Sequence, residues 1–230
     1  GVLVAISDYL DYMPNFSKIL EERPDIKAQL INVEDGKIYS LPRIEEMGLL
    51  QSPNLLFLNK AWALEAVNAG KVTGISASDL KDGLNLTATQ MEQLLTYFRD
   101  NDMNGNGNNA DERPLNFVYN NWQGNQCDLY GMFGLNDNLE HRVIVDGKVT
   151  YTVQDDRFKD ATNFIANWVS NGLIDQVSFE QSQDNFLANG KGLETYGAFY
   201  WWESETVVSN PENYIVCNPL IGPNGDQTIC

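Results

Sequence analysis

The sequence predicts an α/β protein, and three observations point to that class. Short apolar runs alternate with amphipathic stretches along the chain, which is the pattern of strands and helices packed in layers. Hydrophobic residues make up 43% and charged residues 20% of the 230 residues, a balance typical of a globular chain with a buried core. No apolar run approaches the roughly 18–20 residues of a membrane-spanning helix.

The first part of the chain predicts a strand, a helix and a hairpin. Residues 2–6 form a short apolar run, so the chain opens in what looks like a strand. Residues 14–23 have helical apolar spacing, and Pro24 ends the pattern. Residues 27–33 and 37–41 lie on either side of Asp35-Gly36, a strong turn signal, and predict a β-hairpin.

The next elements are a buried strand and two helices. A strand is predicted at 54–58, because residues 55–58 are continuously apolar, as in a strand covered on both faces. A helix is predicted at 61–69. Residues 87–99 give the clearest helix, because Thr87 and Gln90 form a capping box and the apolar residues after them recur at helical spacing.

The second half of the chain continues the alternation. A strand is predicted at 115–119, and a hairpin at 143–145 and 148–153 around Asp146-Gly147. Helices are predicted at 156–170 and 178–188, followed by an aromatic strand at 195–202.

The loop at residues 100–112 has the composition of a calcium site. Its sequence is DNDMNGNGNNADE, which places oxygen-bearing side chains on alternate residues, adds glycines and closes with adjacent acids. Calcium takes six to eight oxygens from carboxylate, amide and main-chain groups. A flexible Asn/Gly turn without metal is the alternative. A carboxamide-rich site of this kind indicates a structural ion rather than a catalytic one.

Two registers fit this loop. In the first, numbered as the twelve-residue calcium loop of an EF-hand, Asp100 is position 1, Gly105 is the turn glycine and Asp111 is position 12. The second register starts two residues later, and its candidate ligands are Asp102, Asn104, Asn106, Asn108, Asp111 and Glu112.

Charge and cysteine content restrict the partners. Lys and Arg total 15 against 32 Asp and Glu, for a formal net charge of -17, so a nucleic-acid partner is excluded by the lack of a basic face. Among the three cysteines, Cys217 and Cys230 flank a Pro/Gly turn, and both a disulfide and free thiols remain open. The sequence has no nucleophile-elbow, P-loop or dinucleotide-binding motif.

Aromatic residues are the best candidates for ligand contacts. Trp122 lies in a loop among Asn and Gln residues, and Trp201 and Trp202 are adjacent near a strand end. Their rings combine flat apolar faces with polar edges and therefore suit sugar rings. Adjacent strand residues point to opposite faces, so one of Trp201 and Trp202 should point inward. Core packing is the alternative for all three.

An ordered series of motifs resembles a known family. The motifs are DGKIYSLP at 35–42, LFLNKAW at 56–62, the helix at 87–98, DMNGNG at 102–107, DERPL at 111–115, DGKVTY at 146–151 and NGLID at 171–175. In this order they resemble the middle portion of extracellular solute-binding proteins of the family 1 type, the sugar-binding lipoproteins of ABC importers. The resemblance runs from about residue 10 to residue 225.

The resemblance implies a periplasmic-binding-protein-like fold of two α/β lobes that close on a ligand by hinge motion. It implies a lobe boundary near residues 42–60, most of residues 60–200 in one lobe, and a chain incomplete at both ends. It implies that the protein lies in the periplasm or on the outer face of the cell membrane, where the full-length protein would carry a lipid anchor. It also implies structural calcium, as in alginate-binding relatives, and favours the register that starts at Asp102.

The sequence therefore predicts reversible capture of an oligosaccharide for ABC-transporter membrane subunits, without catalysis. Trp122, Trp201 and Trp202 are predicted to stack on the sugar, and Tyr39 and Arg43 to lie near the hinge. A carbohydrate hydrolase or lyase and a calcium-stabilised adhesion module are the alternatives.

Overall fold

A computed structural model describes residues 3–44 and 54–229 of the chain. The chain divides into two compact units, Gly1–Leu49 and Leu50–Cys230, and each has a hydrophobic cluster of its own. The predicted lobe boundary near residues 42–60 concerns the complete protein and stays a prediction.

The first unit is helical. A 3-10 helix at Ile6–Tyr12 leads into α1 (Pro14–Glu22) and α2 (Pro24–Leu30), and each α-helix begins with a proline, whose fixed φ suits the first turn. Their apolar sides pack into a small cluster around Phe16, Leu20 and Ile38.

Two predictions for this unit are wrong. The described residues of the expected opening strand are not in a strand, and Ile6 already belongs to the 3-10 helix. The expected hairpin is reduced to a single antiparallel bridge between Ile31 and Ile38. The reason is local: Pro24 begins a new helix, and α2 takes the residues that the hairpin would have used.

The second unit is built on a four-stranded mixed sheet. Its strands are β1 (Leu55–Asn59), β2 (Arg113–Asn116), β5 (Tyr196–Trp201) and β6 (Tyr214–Cys217). Their order is β2-β5-β1-β6, with β1 antiparallel to both of its neighbours and β2 parallel to β5. The carboxyl ends of β2, β5 and β6 therefore meet at one edge of the sheet, together with the amino end of β1. We refer to this as the C-terminal edge.

Helices and a hairpin complete this unit. The helices are α3 (Lys60–Asn68), α4 (Ala88–Asp100), α5 (Cys127–Gly131), α6 (Asp156–Ser170) and α7 (Gln183–Gly190). The hairpin is β3 (Arg142–Val145) with β4 (Lys148–Tyr151). The expected capping box is present at the start of α4, where Thr87 and Gln90 exchange hydrogen bonds of 2.9 and 3.2 Å. No helix in the described ranges is long and apolar enough to cross a membrane.

Most sequence-predicted elements of this unit are confirmed with small shifts in their ends. The predicted helix at 178–188 is instead a 3-10 helix, Gln176–Phe179, followed by α7, which Ser182 caps. Helix α5 and strand β6 were not predicted. The mixture of helices and strands confirms the predicted α/β class.

Cys217 is a buried free thiol in the part of the chain that the structure describes, whereas Cys230 lies outside it. Burial raises the pKa of the Cys217 thiol to about 12, so this group stays protonated at neutral pH.

The two faces of the sheet pack into different hydrophobic clusters. Along β5, Ala198 and Tyr200 belong to the larger cluster that includes α4, whereas Phe199 and Trp201 belong to a second cluster around Phe186. Trp201 is 1% exposed and its ring centroid lies 5.2 Å from that of Phe186. The prediction that Trp201 stacks on a ligand is therefore corrected: its side chain points into the core, while Trp202 is 38% exposed.

This placement predicts unequal costs for replacing the two tryptophans. Trp201→Ala should lower the free energy of unfolding by about 3–5 kcal/mol, because it empties a packed site. Trp202→Ala, the matched control, should lower it by about 1 kcal/mol or less, because that ring is partly in solvent. Urea denaturation followed by circular dichroism measures both values, and similar losses would contradict the assignment of Trp201 to the core.

Candidate ligand and calcium sites

Two loops leave the C-terminal edge, and each carries an exposed tryptophan. Trp122 lies in the loop at residues 117–126 that follows β2 and is 63% exposed, while Trp202 immediately follows β5. Their ring centroids are 6.4 Å apart with planes at 63°, an edge-to-face contact. We call these residues the tryptophan pair. The structure thus brings together two of the three tryptophans predicted to contact ligand.

Side-chain amides hold the loop that carries Trp122. Asn120, which has a φ of 53°, accepts a hydrogen bond from Gln126 Nε2 at 2.8 Å, and its own main-chain N donates to Gln126 Oε1 at 3.0 Å. Asn121 Nδ2 donates to the carbonyl of Gln123 at 2.8 Å and to Gln183 Oε1 on α7 at 3.2 Å. The loop is therefore fixed on both sides of Trp122.

The buried side chain of Trp201 contacts both loops. Gly124 has a φ of 63°, and a Cβ atom there would overlap the Trp201 ring and lie 2.6 Å from the Tyr200 carbonyl oxygen. On its other side, Trp201 Nε1 donates to Thr206 Oγ1 at 3.1 Å, within the loop after β5. The buried tryptophan is thus a support for the exposed pair.

Lys191 fixes the loop after β5. Its Nζ atom donates to the carbonyl oxygens of Glu205 and of Val208, the latter at 2.7 Å. The hydroxyl of Ser209 donates back to the Lys191 carbonyl at 2.8 Å. One ammonium group therefore satisfies main-chain carbonyl groups that would otherwise need water as their hydrogen-bond partner.

A second pair of partly exposed aromatic rings was not predicted. Tyr119 and Phe179 are 42% and 37% exposed, and their ring centroids are 5.4 Å apart. The main-chain N of Tyr119 donates to the Ser178 carbonyl at 2.9 Å, which joins the two segments. The sequence predicted a strand for Tyr119 and a helix for Phe179. The available signal was the position of Tyr119 just before the same Asn-Asn pair that precedes Trp122.

The remaining predicted ligand residues lie in the first unit. The hydroxyl of Tyr39 donates to Asp35 Oδ2 at 2.5 Å. This hydrogen bond raises the pKa of Tyr39 and lowers the pKa of Asp35. Arg43 is exposed. The placement of Tyr39 and Arg43 near a hinge stays a prediction.

The predicted calcium loop begins directly after α4. Asp102 accepts hydrogen bonds from the main-chain N of Asn106 at 3.1 Å and of Gly107 at 2.7 Å. Gly105 and Gly107 have φ angles of 72° and 84°, so each register has a glycine suited to the sharp turn at position 6. Asp100 instead pairs with Arg99 at 2.7 Å, and this hydrogen bond lowers the pKa of Asp100. The geometry supports the register that starts at Asp102.

The closing acids of the loop fold back toward its start. Asp111 Oδ2 accepts from Asn106 Nδ2 at 2.7 Å, and Glu112 Oε1 accepts from the main-chain N of Met103 at 2.9 Å. The second oxygen of each acid, Asp111 Oδ1 and Glu112 Oε2, is buried without a hydrogen-bond partner. Buried carboxylate oxygens without donors are costly unless a cation lies beside them, so these residues fit a bound metal ion.

Carboxylates alone do not complete this site. Across residues 3–44 and 54–229, no three His, Cys, Asp or Glu side chains are arranged to hold a metal ion. A cation in the loop would therefore depend on amide or main-chain oxygens as well, and Asn104, Asn106 and Asn108 are the residues that offer them.

Comparison with known proteins gives a consistent result. No protein-family model matches the sequence. The chain is 35% identical, over an alignment 236 positions long, to the fructooligosaccharide ABC transporter substrate-binding protein FusA of Streptococcus pneumoniae serotype 4. The alignment covers 100% of this chain but 41% of FusA, so the chain spans about two-fifths of its curated relative.

Solved structures of FusA match as well. FusA in complex with kestose superposes with a TM-score of 0.78 at 32% identity, and the match covers 100% of this chain and 45% of that one. A FusA EF-hand mutant in complex with fructo-nystose gives a TM-score of 0.79 with the same identity and coverage.

A more distant structure shares the fold. An extracellular solute-binding protein from Bifidobacterium longum subsp. infantis is 21% identical, with a TM-score of 0.70 over 97% of this chain and 44% of that one. The predicted periplasmic-binding-protein-like fold is confirmed by these neighbours. Over its whole length, the chain is thus a homologue of part of an ABC-transporter substrate-binding protein, as its resemblance to solute-binding proteins predicted.

Proposed function

We propose that this chain is part of a protein that reversibly binds an oligosaccharide for delivery to an ABC transporter. The observation that carries the proposal is the tryptophan pair, exposed at the C-terminal edge of the sheet on two loops held by side-chain hydrogen bonds. Ligands of α/β proteins bind at such edges. A relative named for fructooligosaccharide transport supports the sugar class.

The chemistry of the pair suits a sugar. The flat rings of Trp122 and Trp202 can cover the apolar C–H faces of pyranose or furanose rings, while amide side chains nearby offer donors and acceptors to hydroxyl groups. Because hydrogen bonds within the chain hold both loops, binding a sugar should carry little ordering cost. We include Tyr39 and Arg43 of the first unit in the proposed ligand contacts, near the proposed hinge of the complete protein.

The proposal extends to the transport context. The complete protein would act in the periplasm or at the outer face of the cell membrane, lipid-anchored in full length, and hand its sugar to the membrane subunits of an ABC transporter. The relationship to an ABC transporter substrate-binding protein supports this context.

Binding is proposed to occur without chemical conversion of the sugar. The alternatives are a hydrolase or lyase that uses acids near the aromatic rings, and an adhesion module without a small ligand. Incubation with fructooligosaccharides distinguishes the enzyme alternative from the proposed binding function. Release of products, and loss of that release when an Asp or Glu is substituted, would establish an enzyme. Measurement of Tm across a panel of glycans distinguishes the adhesion module, because only a protein that binds a small glycan shows a ligand-dependent shift in Tm.

The tryptophan pair should carry much of the affinity. In the complete protein, Trp122→Ala and Trp202→Ala should each weaken binding of kestose by tenfold or more, since truncation of a central Trp costs roughly 2 kcal/mol. Isothermal titration calorimetry measures the change in Kd.

Tyr151→Ala provides the control, because Tyr151 is a 49% exposed aromatic residue on the β3–β4 hairpin and belongs to neither loop. We expect its Kd to equal that of the wild type. Unchanged affinity in both tryptophan variants would overturn the assignment of the pair to the ligand site.

We further propose that the loop at residues 102–112 binds a structural calcium ion. Its proposed ligands are Asp102, Asn104, Asn106, Asn108, Asp111 and Glu112. A bound ion would supply the positive charge that the buried oxygens of Asp111 and Glu112 lack. The description of a FusA structure as an EF-hand mutant supports a loop of this kind in the relative.

Removal of calcium should lower stability. A chelator should reduce the free energy of unfolding by about 3 kcal/mol when calcium is initially present at a hundredfold excess over Kd. Asp102→Ala or Asp111→Ala should abolish the response, whereas Asp160→Ala, at an exposed position on α6, should retain it. Differential scanning calorimetry with and without chelator tests this, and a wild-type melting curve that the chelator does not change would refute the calcium proposal.

A further inference from the structure

Two buried asparagines join the start of the central strand to the loop that carries Trp122. Asn54 Nδ2 donates to Asn125 Oδ1 at 3.0 Å, and Asn54 Oδ1 accepts from the main-chain N of Asn125 at 3.1 Å. Both residues are 4% exposed, although they are 71 positions apart in the sequence. We call this arrangement the asparagine clasp.

The clasp continues into the loop. Asn125 Nδ2 donates to the carbonyl of Asn121 at 2.9 Å, and Asn125 Oδ1 also accepts from the main-chain N of Cys127 at 2.9 Å. The Asn125 carboxamide therefore closes the turn that contains Trp122 from within. Asn54 joins that carboxamide to a part of the chain that is distant in sequence.

The chemistry of the clasp requires an amide at position 54. The side chain must donate to one oxygen and accept from one N–H in the same buried place. A carboxylate of the same shape would keep the acceptor but set an oxygen against Asn125 Oδ1, where like partial charges repel. The pair therefore discriminates between Asn and Asp, which are almost identical in volume.

The position of Asn54 gives the clasp its significance. Asn54 directly precedes β1, and it follows closely on the boundary between the units at Leu49 and Leu50. Asn54 is thus the first residue of the second unit that the structure describes, and it contacts the Trp122 loop. Trp122 contacts Trp202, so the clasp also acts on the geometry of the tryptophan pair.

We propose that Asn54 is a positioning residue for the ligand site, and that it acts through Asn125 to hold Trp122 in the orientation that receives a sugar ring. The sugar ligand in this inference rests on the proposed function, whereas the effect of Asn54 on the Trp122 loop does not. Loss of the clasp removes the two hydrogen bonds that join the turn to Asn54 and so loosens it, and the cost of ordering the turn on binding reduces affinity.

The test compares two isosteric changes at opposite ends of β1, Asn54 just before the strand and Asn59 at its last residue, in the complete protein. Asn54→Asp breaks the clasp. Asn59→Asp is the matched control, since Asn59 is 0% exposed at the other end of β1 and donates to Glu194 Oε1 at 2.6 Å. Both variants place a carboxylate in a buried amide site, and both should lose stability.

Two readouts separate positioning from general destabilisation. The first is the Kd for kestose, measured well below the Tm of each variant. The second needs no ligand: 5-fluorotryptophan labelling and ¹⁹F NMR, with the Trp122 resonance identified by its loss in Trp122→Phe. We expect Asn54→Asp to weaken binding about tenfold and to shift or broaden the Trp122 resonance. Asn59→Asp should change neither.

The remaining outcomes are also decisive. An unchanged Trp122 resonance in Asn54→Asp, or equal effects of the two variants, would overturn the positioning role. A wild type that binds no fructooligosaccharide, combined with a shifted Trp122 resonance in Asn54→Asp, would refute the proposed ligand and support the clasp. If Asn54→Asp does not fold, Asn54→Ser, which is smaller and carries no charge, replaces it in both measurements with the same expectations.

Discussion

Alternation of side chains along β5 is the constraint on which the second unit depends. Successive residues of a strand face opposite sides of the sheet, so the aromatic sequence from Tyr196 to Trp201 must supply two hydrophobic layers at once. Trp201 ends one of these layers, and its ring fills the space beneath Gly124. Trp202 comes one residue later, outside the strand, and remains partly exposed. Core and candidate site are thus consecutive residues of one segment.

The loops at the C-terminal edge show how exposed aromatic rings can be held rigidly. A loop lacks the regular hydrogen bonds of helix or strand, so its main-chain groups need other partners. Asparagine and glutamine side chains supply them around Trp122, and the ammonium group of Lys191 supplies them after β5. The many amides near Trp122 therefore have a structural role in addition to any contact with sugar hydroxyls. Amide-rich composition around an aromatic residue indicates a fixed loop before it indicates a ligand.

Elements whose signals lie within their own segment were predicted from the sequence, whereas elements that depend on tertiary contacts were missed. Helix α4 was predictable because its capping box and apolar spacing lie within the segment itself. The hairpin expected around Asp35-Gly36 failed because Pro24 began a competing helix. Strand β6 has little signal of its own and is defined by its pairing with β1. Of the two adjacent tryptophans, one was expected to point inward, but only the register of β5 identified it as Trp201.

Strand β2 relates the two candidate sites to each other. It has four residues, and at roughly 3.3 Å per residue it spans about 13 Å. Glu112 of the calcium loop immediately precedes it, and the loop that carries Trp122 begins immediately after it. Pairing with β5 fixes the position of β2, and Arg113 at its start is held by Asp175 at 2.5 Å. An ion bound in the proposed calcium loop would therefore act on the same strand whose other end presents Trp122, so the proposed calcium loop and the loop of the proposed ligand contact share one support.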